Sequence, residues 1–168
     1  MAPRLRKPDV TGEAAARGVL AHQPELTDAF FRLYGHLWSR GVVDHATKEV
    51  VRLRNARVTD CRFCRNVRFS RAREEGLTEE AVAMIDDDYA TSSLSDRHKA
   101  ALRLADAFLA EPKPLDAALR AELERHFSAA EIVELTAALA LFVGFSKITV
   151  ALGTAPESMP TTILPTPE

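Results

Sequence analysis

Between Pro24 and Leu152 the apolar residues recur at intervals of three and four, and no β-branched run bounded by turn signals interrupts them. That period predicts an all-α fold of about seven helices, because a 3.6-residue repeat gathers its apolar side chains on one side only as a helix. Prolines crowd both ends, with Pro3 and Pro8 at the start and Pro156, Pro160, Pro165 and Pro167 at the finish. Irregular arms are therefore expected at 1–19 and 154–168, flanking one helical domain at 20–153. A chain of 168 residues, 46% of them hydrophobic, is long enough for one core and too short for two.

Cap residues place the helices. The first is expected from Pro24 to Arg40, with Leu26, Phe30, Leu33, Tyr34 and Leu37 on its apolar side and Gly41 ending it. Asp44 can cap a second running to about Val58, and Asp60 a third over residues 61–75 closed by Gly76. Thr78 opens a short helix to about Asp86, and Ser95 opens another that Pro112 stops, with a loop over residues 88–94 between them. A helix at 115–126 follows, and Ser128 with Glu131 forms the capping box of a long apolar helix ending near Leu152.

Charge and flanking sequence exclude several classes of function. With 22 basic and 24 acidic residues interspersed, the net charge of −2 creates no field for polyanions, so no nucleic-acid partner is expected. Arg4, Arg6 and Lys7 are not followed by an apolar segment, which argues against a secretion signal and for a cytoplasmic protein. The apolar stretch 135–152 is near the lower length limit of a membrane span, but it holds Ser146 and Lys147 and abuts Glu134. A core or interface helix, with no membrane, is the better reading. Lys147 is assigned no chemistry. Glu134, without a local partner, is read as a surface residue or half of an interhelical ion pair.

The two cysteines, Cys61 and Cys64, lie one helical turn apart, close enough to join as a disulfide and to cycle as a dithiol. At the start of a helix, unpaired N–H groups favour a thiolate, and this points first to Cys61. Arg62, Arg65 and Arg68 make the setting positive, and on a continuous helix Arg68 shares the face of Cys64. The competing reading is a pair of inert core thiols. Zinc needs about four ligands and no second Cys or His pair completes a set, so no metal and no cofactor are expected. Glu49 falls in line with Val42, Leu53 and Ala56, where burial would raise its pKa toward proton transfer, with His45 one turn earlier as a relay partner. Alternatively Glu49 is structural and paired with Arg52 or Arg68, and His45 is an exposed first-turn residue.

The arrangement of Glu49, eleven residues, Cys61-x-x-Cys64, Ala72 and Gly76-Leu77-Thr78-Glu79-Glu80 resembles the carboxymuconolactone decarboxylase / alkyl hydroperoxidase D-like family. The likeness continues through Ser95-Asp96-Arg97, residues 126–135 and Ala151-Leu152-Gly153, spanning about residues 20 to 155. It implies an all-α, alkyl hydroperoxidase D-like helical domain that forms a homo-oligomer: a dimer, trimer or hexamer. It also implies a thiol-dependent antioxidant oxidoreductase in which Cys64 attacks a hydroperoxide and Cys61 resolves it as a disulfide. A dithiol reductant, lipoyl-bearing or thioredoxin-like, would restore the pair by attack on a more exposed, more acidic Cys61. Other branches imply a lyase or tailoring enzyme acting on an organic acid, with Glu49 as acid or base, and a third possibility is an oligomeric redox sensor without turnover. This sequence departs from the family pattern where relay histidines stand, carrying Phe63 and Arg68 there. Arginine stays protonated and can only stabilise a thiolate by charge.

Overall fold

In the computed structural model, which describes residues 5–11, 18–154 and 158–168, the helix starts coincide with the cap residues. Asp44, Thr78, Ser95, Asp116 and Ser128 each accept a hydrogen bond from the backbone N–H three residues on, satisfying donors that a helix start leaves open. The α-helices are α1 (Pro24–Arg40), α2 (His45–Val58), α3 (Arg62–Asn66), α4 (Ser70–Glu74), α5 (Glu79–Ala83), α6 (Asp96–Leu109), α7 (Ala117–His126) and α8 (Ala129–Ala151). The described residues thus form eight helices. The expected helix over residues 61–75 is two short ones separated by an extended segment, β1 (Val67–Phe69).

A second strand, β2 (Thr162–Leu164), pairs in parallel with β1, setting Val67 against Thr162 and Phe69 against Leu164. The C-terminal segment expected to be irregular is therefore docked where it is described. Thr166 is buried and accepts from the Arg71 N–H at 3.0 Å. Glu168 lies so close to α1 that a side chain at Gly35 would run into its backbone. The N-terminal arm is described only at residues 5–11 and in a 3-10 turn, Gly18–His22. Pro3 and Pro156 lie outside the described residues.

Helix α2 is the centre of the fold, packed against α6 and α8, with every residue from Ala46 to Ala56 buried. A helix buried on all sides cannot leave its charges in water, so each of them has a partner. Arg54 bonds Asp106 at 2.6 Å and Asp87 at 2.8 Å. Lys48, 1% exposed, donates to the Leu37 carbonyl at 2.9 Å and to Glu134 at 3.2 Å. Glu134, left open between two readings in the sequence, is half of an interhelical ion pair. Its carboxylate also accepts from the N–H groups of Val42 and Val43. Gly41 makes room for it, since a Cβ there would meet the Glu134 carboxylate and the Leu37 carbonyl.

On α1 the core takes Tyr34, Leu37 and Trp38, while Leu26 and Leu33 of the expected apolar side remain exposed. Helix α8 is long and apolar enough by length and composition to cross a membrane, and only 28% of its most apolar window is buried within the chain. Val133, Ile148 and Val150 of this helix are exposed.

Replacing Glu134 with leucine strands the Lys48 ammonium in the interior. Stability should fall by roughly 3 kcal/mol, read as a lower urea midpoint with an unchanged slope, and Lys48→Met combined with Glu134→Leu should recover most of the loss.

Candidate functional site

Cys61 and Cys64 are joined as a disulfide with their Cα atoms 5.3 Å apart. The local chain explains how. After α2 the backbone turns through Thr59 and Asp60, the latter at φ +48°, a left-handed conformation that Asp adopts more readily than most residues. The cap of α3 is then Cys61 itself rather than Asp60. Its Sγ accepts from the Cys64 N–H at 3.3 Å, and the Asp60 carboxylate instead bonds Arg65 at 2.9 Å. One unpaired helix donor is thus directed at Cys61 sulfur, the interaction that favours negative charge there. Cys61 is nevertheless the inner sulfur. It is 0% exposed and Cys64 is 6% exposed, which reverses the expectation that Cys61 is the more open of the two. The reason is packing: Cys61 turns inward onto Ala56, with Phe63 and Phe145 against the pair.

Glu49 is held by Arg52, which also reaches the Cys64 backbone. Arg52 Nε and Nη2 each donate at 2.7 Å to a Glu49 oxygen, while Nη1 reaches the Cys64 carbonyl at 2.8 Å and Nη2 the Val67 carbonyl at 2.7 Å. Glu49 Oε1 also accepts from the Phe69 N–H at 3.2 Å. These bonds break the expected helix. In a continuous helix the Cys64 carbonyl would accept from residue 68; here a guanidinium takes that carbonyl, and the chain is free to extend through Val67–Phe69. The Phe69 ring packs edge-on against Trp38 at 4.8 Å and under the Arg52 guanidinium at 5.0 Å. Tyr34 borders the same ion pair, and burial pushes its phenol up to about 12 against the pull of Arg52. It remains a neutral hydroxyl at physiological pH.

Arg68 is not on the face of Cys64. Extension of β1 turns it to Glu79, at 3.1 Å, and to the carbonyls of Arg65 and Val67, at 2.7 and 2.9 Å. Together with Arg57, Arg65, Asn66, Leu53 and Val82 it lines a cleft of about 410 Å³ beside α3. The positive setting therefore exists, directed at this cleft rather than at the sulfur. His45 is half-buried and lies flat on Trp38, ring centroids 6.1 Å apart, and its Nδ1 has no hydrogen-bond partner. Burial, and then the Lys48 charge, hold its imidazole below the ordinary histidine value. It forms no relay with Glu49, whose oxygens are occupied by Arg52 and Phe69. Of the five residues singled out in the sequence, Cys61 and Cys64 are bonded to each other, Glu49 is linked to the Cys64 carbonyl through Arg52, and Arg68 and His45 face elsewhere.

Two residues given no part in the chemistry from the sequence, Asn55 and Ser146, complete the surroundings of Cys64. Ser146 Oγ donates to Cys64 Sγ at 3.4 Å, and Asn55 Nδ2 donates to Ser146 Oγ at 2.9 Å. Their signal in the sequence is polarity on an otherwise buried or apolar helix. No group of three or more His, Cys, Asp or Glu side chains suited to a metal occurs among the described residues.

Because Arg68 is spent on Glu79 and backbone carbonyls, Arg68→Met should leave the ionisation of the reduced Cys64 thiol unchanged, measured by alkylation rate against pH. Arg52→Met should instead cost about 3 kcal/mol or more by stranding Glu49 and two carbonyls, seen in urea unfolding. Arg52→Lys should recover little, since one ammonium cannot reproduce the forked geometry.

The model of the carboxymuconolactone decarboxylase family matches residues 24–107, from the start of α1 to near the end of α6 and across the cysteine pair. The uncharacterized protein Rv2313c of Mycobacterium tuberculosis is 36% identical over 134 residues, 79% of this chain and 46% of that protein. The chain thus spans about half the length of that relative. An uncharacterized peroxidase-related protein from Ralstonia eutropha JMP134, described as an alkylhydroperoxidase AhpD core, superposes with a TM-score of 0.77 at 17% identity, covering 93% of each chain. The debrominase Bmp8 in complex with 2,3,4-tribromopyrrole superposes with a TM-score of 0.67 at 19% identity, covering 80% of this chain and 72% of its own. At such identities the structural likeness establishes the alkyl hydroperoxidase D-like helical fold. This chain, with its Cys61-x-x-Cys64 pair, belongs to the carboxymuconolactone decarboxylase family.

Proposed function

We propose that this protein is a thiol-dependent oxidoreductase that reduces hydroperoxides, with Cys61 and Cys64 cycling between dithiol and disulfide. The observation that carries the reading is the disulfide itself, bridging the cap and first turn of α3 with a hydrogen-bond donor directed at each sulfur. In the reduced protein Cys64, the more open sulfur, attacks as a thiolate. An S–O bond forms, the O–O bond breaks, and the departing alkoxide takes a proton from water to become the alcohol. Cys64 is then a sulfenic acid, oxidised by two electrons. Cys61 attacks that sulfur, the S–S bond forms, and the displaced hydroxide is protonated to water. A dithiol reductant, a lipoyl group or a thioredoxin-like protein, exchanges with the disulfide and is itself oxidised to a cyclic disulfide. The sum is hydroperoxide and dithiol giving alcohol, water and disulfide.

The debrominase neighbour supports a second reading that uses the same pair. There an organic bromide replaces the peroxide, and two thiols give up two electrons so that the carbon–bromine bond becomes carbon–hydrogen, with bromide and a proton released. A lyase that uses Glu49 as its base is less well supported, since both Glu49 oxygens are occupied by Arg52.

The same protein is proposed to work as a homo-oligomer. Exposed Leu26 and Leu33 on α1, with Val133, Ile148 and Val150 on α8, leave more apolar surface than one chain covers. Light scattering at micromolar concentration should give a multiple of 18.5 kDa, and a monomer would contradict this.

Incubation with an alkyl hydroperoxide should form the Cys61–Cys64 disulfide, and excess dihydrolipoamide should sustain peroxide consumption. Cys64→Ser should abolish consumption, and Cys61→Ser should form no intramolecular disulfide, leaving Cys64 as a sulfenic acid until added dithiol reduces it. Bromide release from a brominated pyrrole without peroxide turnover would favour the second reading. Oxidation with neither turnover would leave a redox sensor.

A further inference from the structure

Asn55 on α2 and Ser146 on α8 are 91 positions apart in the chain, both are buried, and neither has a part in the chemistry above. The direction of their hydrogen bonds follows from what each group can do. The Asn55 NH₂ can only donate, so it takes the accepting side of the Ser146 hydroxyl and leaves the single O–H for Cys64 sulfur. Asn55 Oδ1 remains without a hydrogen-bond partner.

Arg52, Arg65 and Arg68 do not serve the Cys64 sulfur. Arg52 bonds the Cys64 carbonyl and is balanced by Glu49. Arg65 is paired with Asp60, Arg68 with Glu79, and the Tyr34 phenol is neutral at physiological pH. Phe63 and Phe145 are apolar neighbours. The sulfur of a disulfide is a weak acceptor, whereas a thiolate makes a charge-assisted hydrogen bond about twice as strong as a neutral one. The Ser146 contact therefore gains most of its strength in the reduced protein.

We propose that the Ser146 hydroxyl, oriented by Asn55, stabilises the Cys64 thiolate and so takes over the electrostatic part that Arg68, turned to Glu79, cannot play. Ser146 touches the reacting sulfur and is a catalytic residue; Asn55 acts through it and is a positioning residue. The proton lost when Cys64 ionises goes to solvent, and the hydroxyl keeps its own proton throughout. When sulfur attacks the hydroperoxide, the negative charge moves from sulfur to the departing alkoxide and the hydrogen bond weakens. The contribution of Ser146 is thus to the population of thiolate at neutral pH rather than to proton delivery.

This inference rests on the dithiol reading, and thiolate titration tests it without turnover. In a Cys61→Ser background Cys64 is the single thiol, and its ultraviolet thiolate absorbance is followed across pH, with thermal melting to establish folding. Loss of one charge-assisted hydrogen bond in Ser146→Ala should raise the midpoint by about one pKa unit. Ser146→Thr, which keeps the hydroxyl, should restore it. Asn55→Leu removes the open acceptor and frees the hydroxyl to rotate, so it should raise the midpoint by less, and it carries the test alone if Ser146→Ala does not fold. An unmoved midpoint in either folded variant, or equal rises in Ser146→Ala and Ser146→Thr, overturns the proposal. Mass measurement of the disulfide in the unsubstituted protein separates the two failures. Its absence after peroxide removes the dithiol reading, whereas its presence with an unmoved midpoint removes only the role of Ser146.

Discussion

The ion pair between Glu49 and Arg52 is the interaction on which the site and much of its surroundings depend. A buried ion pair is costly unless further hydrogen bonds replace the lost water, and here they come from the backbone it disrupts. Arg52 takes the carbonyls of Cys64 and Val67, and Glu49 takes the N–H of Phe69. The groups orphaned by the break between α3 and α4 are those that complete the solvation of the pair. The break in turn creates β1, and β1 gives the C-terminal segment a strand to pair with. One interaction therefore links the central helix, the disulfide segment and the end of the chain.

This arrangement explains what could be read from the sequence. Caps are local, so Asp44, Thr78, Ser95 and Ser128 open their helices as their spacing predicts. The helix over residues 61–75 fails because the groups that end it, Glu49 and Arg52, belong to another element. The same failure misplaces Arg68, whose alignment with Cys64 assumed an unbroken helix. It also hides β2, since Thr162–Leu164 has no strand to join until β1 exists. Glu49 was legible as anomalous from its apolar register, and Arg52 was among its possible partners, but which arginine pairs with it required the bidentate contact to be seen. The order of exposure of the cysteines was not legible, because it depends on Phe63 and Phe145 closing over them.

Asn55 and Ser146 show another limit. Ser146 was visible as a polar residue inside the apolar stretch, where it argued against a membrane span, yet its target 82 positions away could not be read from periodicity. In the folded chain α2 and α8 bring the two polar residues to the outer sulfur, while the backbone of α3 serves the inner one. The protein thus supports each sulfur with a neutral donor, while Arg52, Arg65 and Arg68 bond carboxylates and carbonyls. Neutral donors can favour a thiolate without attaching a permanent counter-charge to it.

In the proposed function Cys61 and Cys64 form a working redox couple rather than a staple. Its most direct test is the reduction potential of the pair, obtained by equilibrating the protein in a series of dithiothreitol redox buffers and counting free thiols by mass. A single two-electron transition between about −270 and −120 mV, the range of cycling dithiols, is expected. A potential below about −300 mV, where disulfides resist cellular thiols, would mark the bond as structural and contradict the proposed function.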